Sequence, residues 1–224
     1  MKRILIDIVV IATALLLASS CEDWSFLKEN PKAVSAETFL QNSTTIEAEV
    51  NSIYYQLERG EAFGRYLSVL SESLSDYCYG RGNWATSYST GLTTGGQVFS
   101  KASWAVLYRA IRYANGILAD MGKATVTEQE KAELTGEIRF LRAFAYSYLV
   151  RYYGAVTLFD ETNMSEFSKP RTPANDIWKY ILKEAEYAAA NLPEVVTQTG
   201  RPTKYSALLL ETEADMYLED YAAA

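Results

Sequence analysis

Residues 76 to 91 read DYCYGRGNWATSYSTG and carry no hydrophobic period. The stretch instead holds Asp76, Tyr79, Arg81, Asn83, Trp84 and Tyr88, with Gly80 and Gly82 between them. Trp and Tyr supply flat apolar faces. Arg, Asn and Asp supply planar, bidentate hydrogen-bonding groups. Together they suit a polar ligand that also has apolar faces. The two glycines let the backbone turn tightly around such a ligand. A packing role is the competing expectation, with Trp84 plugging the loop onto its neighbours and Arg81 paired to Asp76.

Other chemistry-bearing groups are less suggestive. The chain has no histidine, which removes the commonest general base and metal ligand. Glu72 and Asp76 form an i,i+4 carboxylate pair of the kind a glycosidase uses, but nothing else in the sequence supports hydrolysis. Glu211, Glu213 and Asp215 alternate along a helix. They therefore point in divergent directions and read as a solvated face rather than a metal site. Arg139 and Arg142, three apart near an apolar face, are expected to bond backbone or acidic partners inside the fold. Trp104, Tyr108 and Asn115 are expected to pack. A net charge of −7 argues against nucleic acid. No cofactor or metal is expected. The 17 tyrosines suit either a ligand surface or helix interfaces.

The elements that must hold these residues are helices. Ile46, Val50, Ile53 and Leu57 form one apolar stripe, with a capping box expected at Thr44 and Glu47 and a stop at Gly60. Leu67, Leu70 and Leu74 form a second stripe. Beyond the polar loop come Trp104, Leu107, Ile111, Ala114 and Leu118, stopped by Gly122. Thr127 and Glu130 then cap a helix bearing Leu134, Ile138, Leu141, Ala145 and Leu149, which Gly154 ends. Pro173 is expected at the first position of a helix with Ile177, Ile181, Ala185, Ala188 and Leu192 on its face. Thr203 caps the last, with Ala207, Leu210, Ala214 and Tyr217. Val156 to Phe159 resembles a short strand. The fold class is all-α, with degenerate tetratricopeptide-like helix pairs and long loops.

Residues 1–20 form an export signal. Lys2 and Arg3 precede a short apolar run, too short for a comfortable membrane span. Small residues then lead to Cys21, as in a lipobox, so Cys21 is expected to carry acyl chains that anchor the protein to a membrane. Cys78 would then have no disulfide partner and is expected to be a buried thiol. Residues 21–34 look extended, and 35–224 form the helical domain.

Three stretches resemble the SusD/RagB family of outer-membrane nutrient-binding lipoproteins. They are FLKENPKAVSAETFLQNSTTIEAEVNSIYYQL (26–57), WAVLYRAIRYANGILADM running into GEIRFLRAFAYSYLVRYYGAVTLF (104–159), and RTPANDIWKYILKEAEYAAANLP with GRPTKYSALLL (171–210). FLRAFAY, RYYG and GRPTK are the most specific parts. Ile138 stands where the family usually has a small residue and Thr157 where it usually has Pro. Family members are generally much longer, so an N-terminal fragment or a shortened product is expected.

The resemblance implies a non-catalytic, surface-exposed lipoprotein of the outer membrane. The pair Glu22–Asp23 after Cys21 resembles a surface-export signal. Such a protein captures an oligosaccharide or other nutrient and delivers it to a SusC-type TonB-dependent transporter. Loops bearing aromatics contact sugar in this family, which makes Asp76, Tyr79, Arg81, Asn83, Trp84 and Tyr88 the expected glycan contacts. The alternative is a helical-repeat scaffold that touches only the transporter.

Overall fold

The computed structural model describes residues 42–73, 75, 98–166 and 168–224. Cys21, Leu74, Asp76, Cys78 and the whole 79–91 loop lie outside the described residues, as does the side chain of Leu70. Among the described residues there are six α-helices: α1 (Ser43–Glu58), α2 (Tyr66–Ser73), α3 (Val98–Asp120), α4 (Glu128–Tyr153), α5 (Ala174–Asn191) and α6 (Lys204–Tyr217). One 3-10 turn, Met121–Lys123, joins α3 to α4. Consecutive helices pack on one another, α3 on α4, α4 on α5 and α5 on α6, while α1 lies on α3 and α4. The fold is all-α, built from tetratricopeptide-like helix pairs.

The apolar stripes face the core. Ile46, Val50 and Ile53 of α1 are fully buried, as are Ile177, Ile181, Ala185 and Ala188 of α5 and Ala207 and Ala214 of α6. Each buried isoleucine contributes about 1.5–3 kcal/mol of hydrophobic stabilisation relative to exposure. Small residues set the close approaches. A Cβ on Gly136 of α4 would touch Asn191, Leu192 and the backbone of Ala188, so glycine there lets α5 lie near. Tyr217 departs from the expectation. It is 45% exposed, because it stacks outside the core on Trp178, centroids 4.1 Å apart.

Helix ends follow local chemistry. Thr127 and Glu130 cap α4 reciprocally as expected, and Gly154 ends it with φ 68°. The first cap sits two residues earlier than expected. Asn42 is extended, its Oδ1 accepts from Thr45 N at 2.9 Å, and Thr45 Oγ1 accepts from Asn42 N at 3.3 Å. Threonine thus performs at N3 what the sequence assigned to Glu47. Pro173 precedes α5 as its N-cap rather than opening it. Between α1 and α2, a Cβ on Gly64 would lie 2.3 Å from the Glu58 carbonyl oxygen, so the turn admits only glycine without a backbone shift.

The expected strand at 156–159 shrinks to a single bridge between Val156 and Thr172. The physical reason is competition. The Thr157 carbonyl accepts from the Tyr108 hydroxyl at 2.7 Å, and Tyr146 Oη both donates to the Phe159 carbonyl and accepts from its N–H at 2.8 Å. Side chains of α3 and α4 take the groups a sheet ladder would use.

Candidate functional site

The six loop residues expected to touch ligand are outside the described residues, but the helices that flank the loop are not. The described chain stops near the end of α2 and resumes at α3, and the last turn of α4 bonds α3. Burial pushes the Tyr152 phenol up, and the neighbouring Arg151 charge opposes that. The Tyr153 hydroxyl donates to the Ser100 carbonyl at 2.7 Å. Ser103 then donates to the Glu61 carbonyl at 2.7 Å. The RYYG segment therefore ties the end of α4 to the start of α3.

Aromatic packing stiffens this support. Phe63, in the turn before α2, stacks on Phe144 at 5.1 Å and meets Tyr148 edge-on at 4.6 Å. Phe140, Phe144, Tyr148 and Tyr152 continue as one half-buried row along α4. Trp104 packs between Tyr108 and Tyr153, at 4.9 and 5.0 Å, with the Arg171 guanidinium 5.5 Å from its ring. The expectation that Trp104 and Tyr108 pack is met. Burial pushes the Tyr108 phenol up to about 12, its bond to Thr157 notwithstanding.

Beneath this lies a charged network. Arg142 is 1% exposed. Burial opposes its charge, but Glu184 and Glu161 outweigh burial and hold the guanidinium firmly protonated. Its Nε donates to Glu184 Oε2 at 3.0 Å and its Nη1 to Asn115 Oδ1 at 2.6 Å. Arg139 donates to the other Glu184 oxygen at 2.9 and 2.6 Å. Two guanidiniums thus share one fully buried carboxylate, and Glu161, on the segment after Phe159, pairs with the surplus charge. Both arginines have acidic partners within the fold, as expected, and the fully buried Asn115 also packs as expected.

A second polar cluster was not anticipated. Glu137 Oε1 accepts from the Tyr54 hydroxyl and from Arg201 Nη1, the latter at 2.8 Å. Arg201 also reaches Asn51 and Gln198, at 3.1 and 3.2 Å. Its only signal in the sequence was its place in GRPTK. The acidic run on α6 also differs from expectation. Asp215 is 5% exposed, and Glu213 pairs with Arg151 of α4. Burial raises the Glu211 carboxyl, helped by Glu186 and Asp215. The run is not a solvated face, because α6 packs along α5 and curls back at its end, where Asp220 N donates to the Asp215 carbonyl at 2.9 Å. Glu72 is exposed and its i,i+4 partner lies outside the described residues.

A family model described as starch-binding associating with outer membrane, SusD-like, matches residues 25–211. The chain belongs to the SusD-like family. A SusD-like protein of Formosa agariphila is 24% identical over 97% of this chain and 44% of its own length. One of Bacteroides ovatus is 28% identical over 89% of this chain and 37% of its own. The SusD-like chain thus spans less than half the length of these curated relatives. Among solved structures, a SusD-like carbohydrate-binding protein of Bacteroides fragilis superposes with a TM-score of 0.70 at 26% identity, covering 83% of this chain and 39% of that one. A laminarin-binding SusD-like protein gives 0.70 at 22% identity, covering 82% and 42%. In this SusD-like chain, FLRAFAY and RYYG, which carried the resemblance, supply Arg142 of the buried network and Tyr153, which bonds the start of α3.

Proposed function

We propose that this chain binds a glycan through the 79–91 loop, as a non-catalytic lipoprotein of the outer membrane. Trp84, Tyr79 and Tyr88 offer stacking faces, and Asp76, Arg81 and Asn83 offer hydrogen bonds to sugar hydroxyls. Acyl chains on Cys21 hold the protein to the membrane and expose it at the cell surface. From there it passes ligand to a SusC-type TonB-dependent transporter. The family match carries this reading: the matched description is starch binding with outer-membrane association, and one structural neighbour is described as binding laminarin. The Tyr153 bond to Ser100, which ties α3 to α4 just after these residues in the chain, supports it, since binding segments work best on a rigid scaffold.

The test is native electrophoresis through gels containing starch, laminarin, xylan or mucin glycans. One of these should retard the chain, and Trp84→Ala should run faster in that gel. The second reading is a scaffold that contacts the transporter and no sugar. Co-purification with the transporter, with no retardation in any gel, would select it.

A further inference from the structure

Helix α6 is apolar on two faces. Ala207, Leu210 and Ala214 are buried on the inner one, where α6 packs on α5. Tyr205, Leu208, Leu209, Thr212 and Met216 recur at steps of three, one, three and four. At 3.6 residues per turn they fall within about 100° of one another on the opposite face. Leu209 is 72% exposed, Tyr205 57% and Met216 56%. No charged residue lies within that arc between Tyr205 and Met216. A groove of about 540 Å³ runs beside the stripe, lined by Leu209, Thr212, Glu213, Met216 and Tyr217.

A surface helix ordinarily carries one apolar stripe, and a helix that closes a repeat stack turns a polar face outward. α6 does neither, so its outer stripe has the character of a contact surface. Charge indicates what covers it. The helix starts with Lys204 and is followed at its end by Glu219 and Asp220. Both acidic residues are exposed. Lys204 holds Glu194 loosely, at 3.5 Å. The midpoint of the stripe falls between Leu209 and Thr212. Turning a second copy end for end about that point lays Tyr205 on Met216 of the second copy, and Leu209 on its Thr212. The same rotation carries Lys204 to the flank that bears Glu219 of the second copy, and sets the helix dipoles antiparallel. Parallel packing would instead set Lys204 on Lys204 and Glu219 on Glu219. The stripe is therefore self-complementary in the antiparallel sense, as a two-fold interface requires.

We propose that two copies of this chain associate through the outer face of α6, antiparallel about a two-fold axis between Leu209 and Thr212. The surface is separate from the residues proposed for glycan, and its test does not depend on that reading. Sedimentation equilibrium of the full chain measures it, with Cys21→Ala throughout so that acyl chains do not themselves drive association. The chain should form a dimer in the micromolar range. Leu209→Ser with Met216→Ser, at two exposed positions, should leave a monomer with an unchanged helical circular-dichroism signal. Lys204→Glu and Glu219→Lys should each weaken the dimer by about fivefold or more, and the two together should restore it. A chain that stays monomeric through that range, a dimer that survives the double serine variant, or charge variants whose effects add instead of cancelling would each overturn the proposal.

Discussion

Arg142 is the residue on which the interior depends most. It is fully buried, and removing it would strand the Glu184 carboxylate beside Arg139 alone. Arg142→Met should destabilise the chain by about 3–5 kcal/mol in urea titration; a loss under about 1 kcal/mol would show that Arg139 alone satisfies Glu184. Glu161 adds a pH dependence. Burial alone would raise its carboxyl, but the hydrogen bond and charge of Arg142 prevail and hold it below its ordinary 4.5. A depressed carboxylate contributes stability that is full above the unfolded value and lost as pH falls through the folded one. Melting temperature should therefore drop as pH falls below about 4.5, and Glu161→Gln should flatten that fall while lowering stability at neutral pH. The sequence showed Arg139 and Arg142 as a spaced pair needing backbone or acidic partners. It could not name Glu184 and Glu161, because a partner 42 or 19 residues away is a product of packing, not of local spacing.

At the scale of elements, the helices were legible wherever their stripes were long. Ile46, Val50, Ile53 and Leu57 recur on one face, and all four are buried. Boundaries were less legible, since several hydroxyl and amide side chains near a helix start compete for the same backbone donors. The Asn42–Thr45 cap took the place expected of Thr44 and Glu47 for that reason. The strand at 156–159 failed because Tyr108 and Tyr146 took its backbone groups, a contest invisible in the sequence. Gly154 was read correctly as a helix end. With φ 68° and ψ −128° it occupies backbone space that other residues rarely enter. Gly154→Ala should cost about 1–3 kcal/mol, measured as a shift in urea midpoint. Thr127→Ala should cost about 1 kcal/mol through the lost cap. Were Gly154→Ala neutral, the α4 ending would have another, unstrained solution. Tyr153→Phe should speed amide exchange in the first turns of α3, because the Ser100 carbonyl loses its donor.

At the scale of the whole molecule, the described residues form a stack of helix pairs, and a polar, aromatic sequence lies between α2 and α3 in the chain. Membership of the SusD-like family was legible from FLRAFAY, RYYG and GRPTK, and the match over residues 25–211 shows it. The glycan contacts were named from side-chain chemistry and family resemblance, and they lie outside the described residues, so their role stands as a proposal. Membrane attachment has its own test. Cells expressing the chain should incorporate an alkyne fatty acid into it, and Cys21→Ala should abolish that labelling; retained labelling would place the anchor elsewhere. Sugar capture is the central claim, and calorimetric titration tests it most directly. An oligosaccharide cut from the polysaccharide that retards the chain would be titrated into the native protein and into Trp84→Ala. Saturable binding that falls at least about tenfold in the variant, a loss of some 1.4 kcal/mol, is the expected result. Equal affinity in both proteins, or no heat with either, would contradict the account.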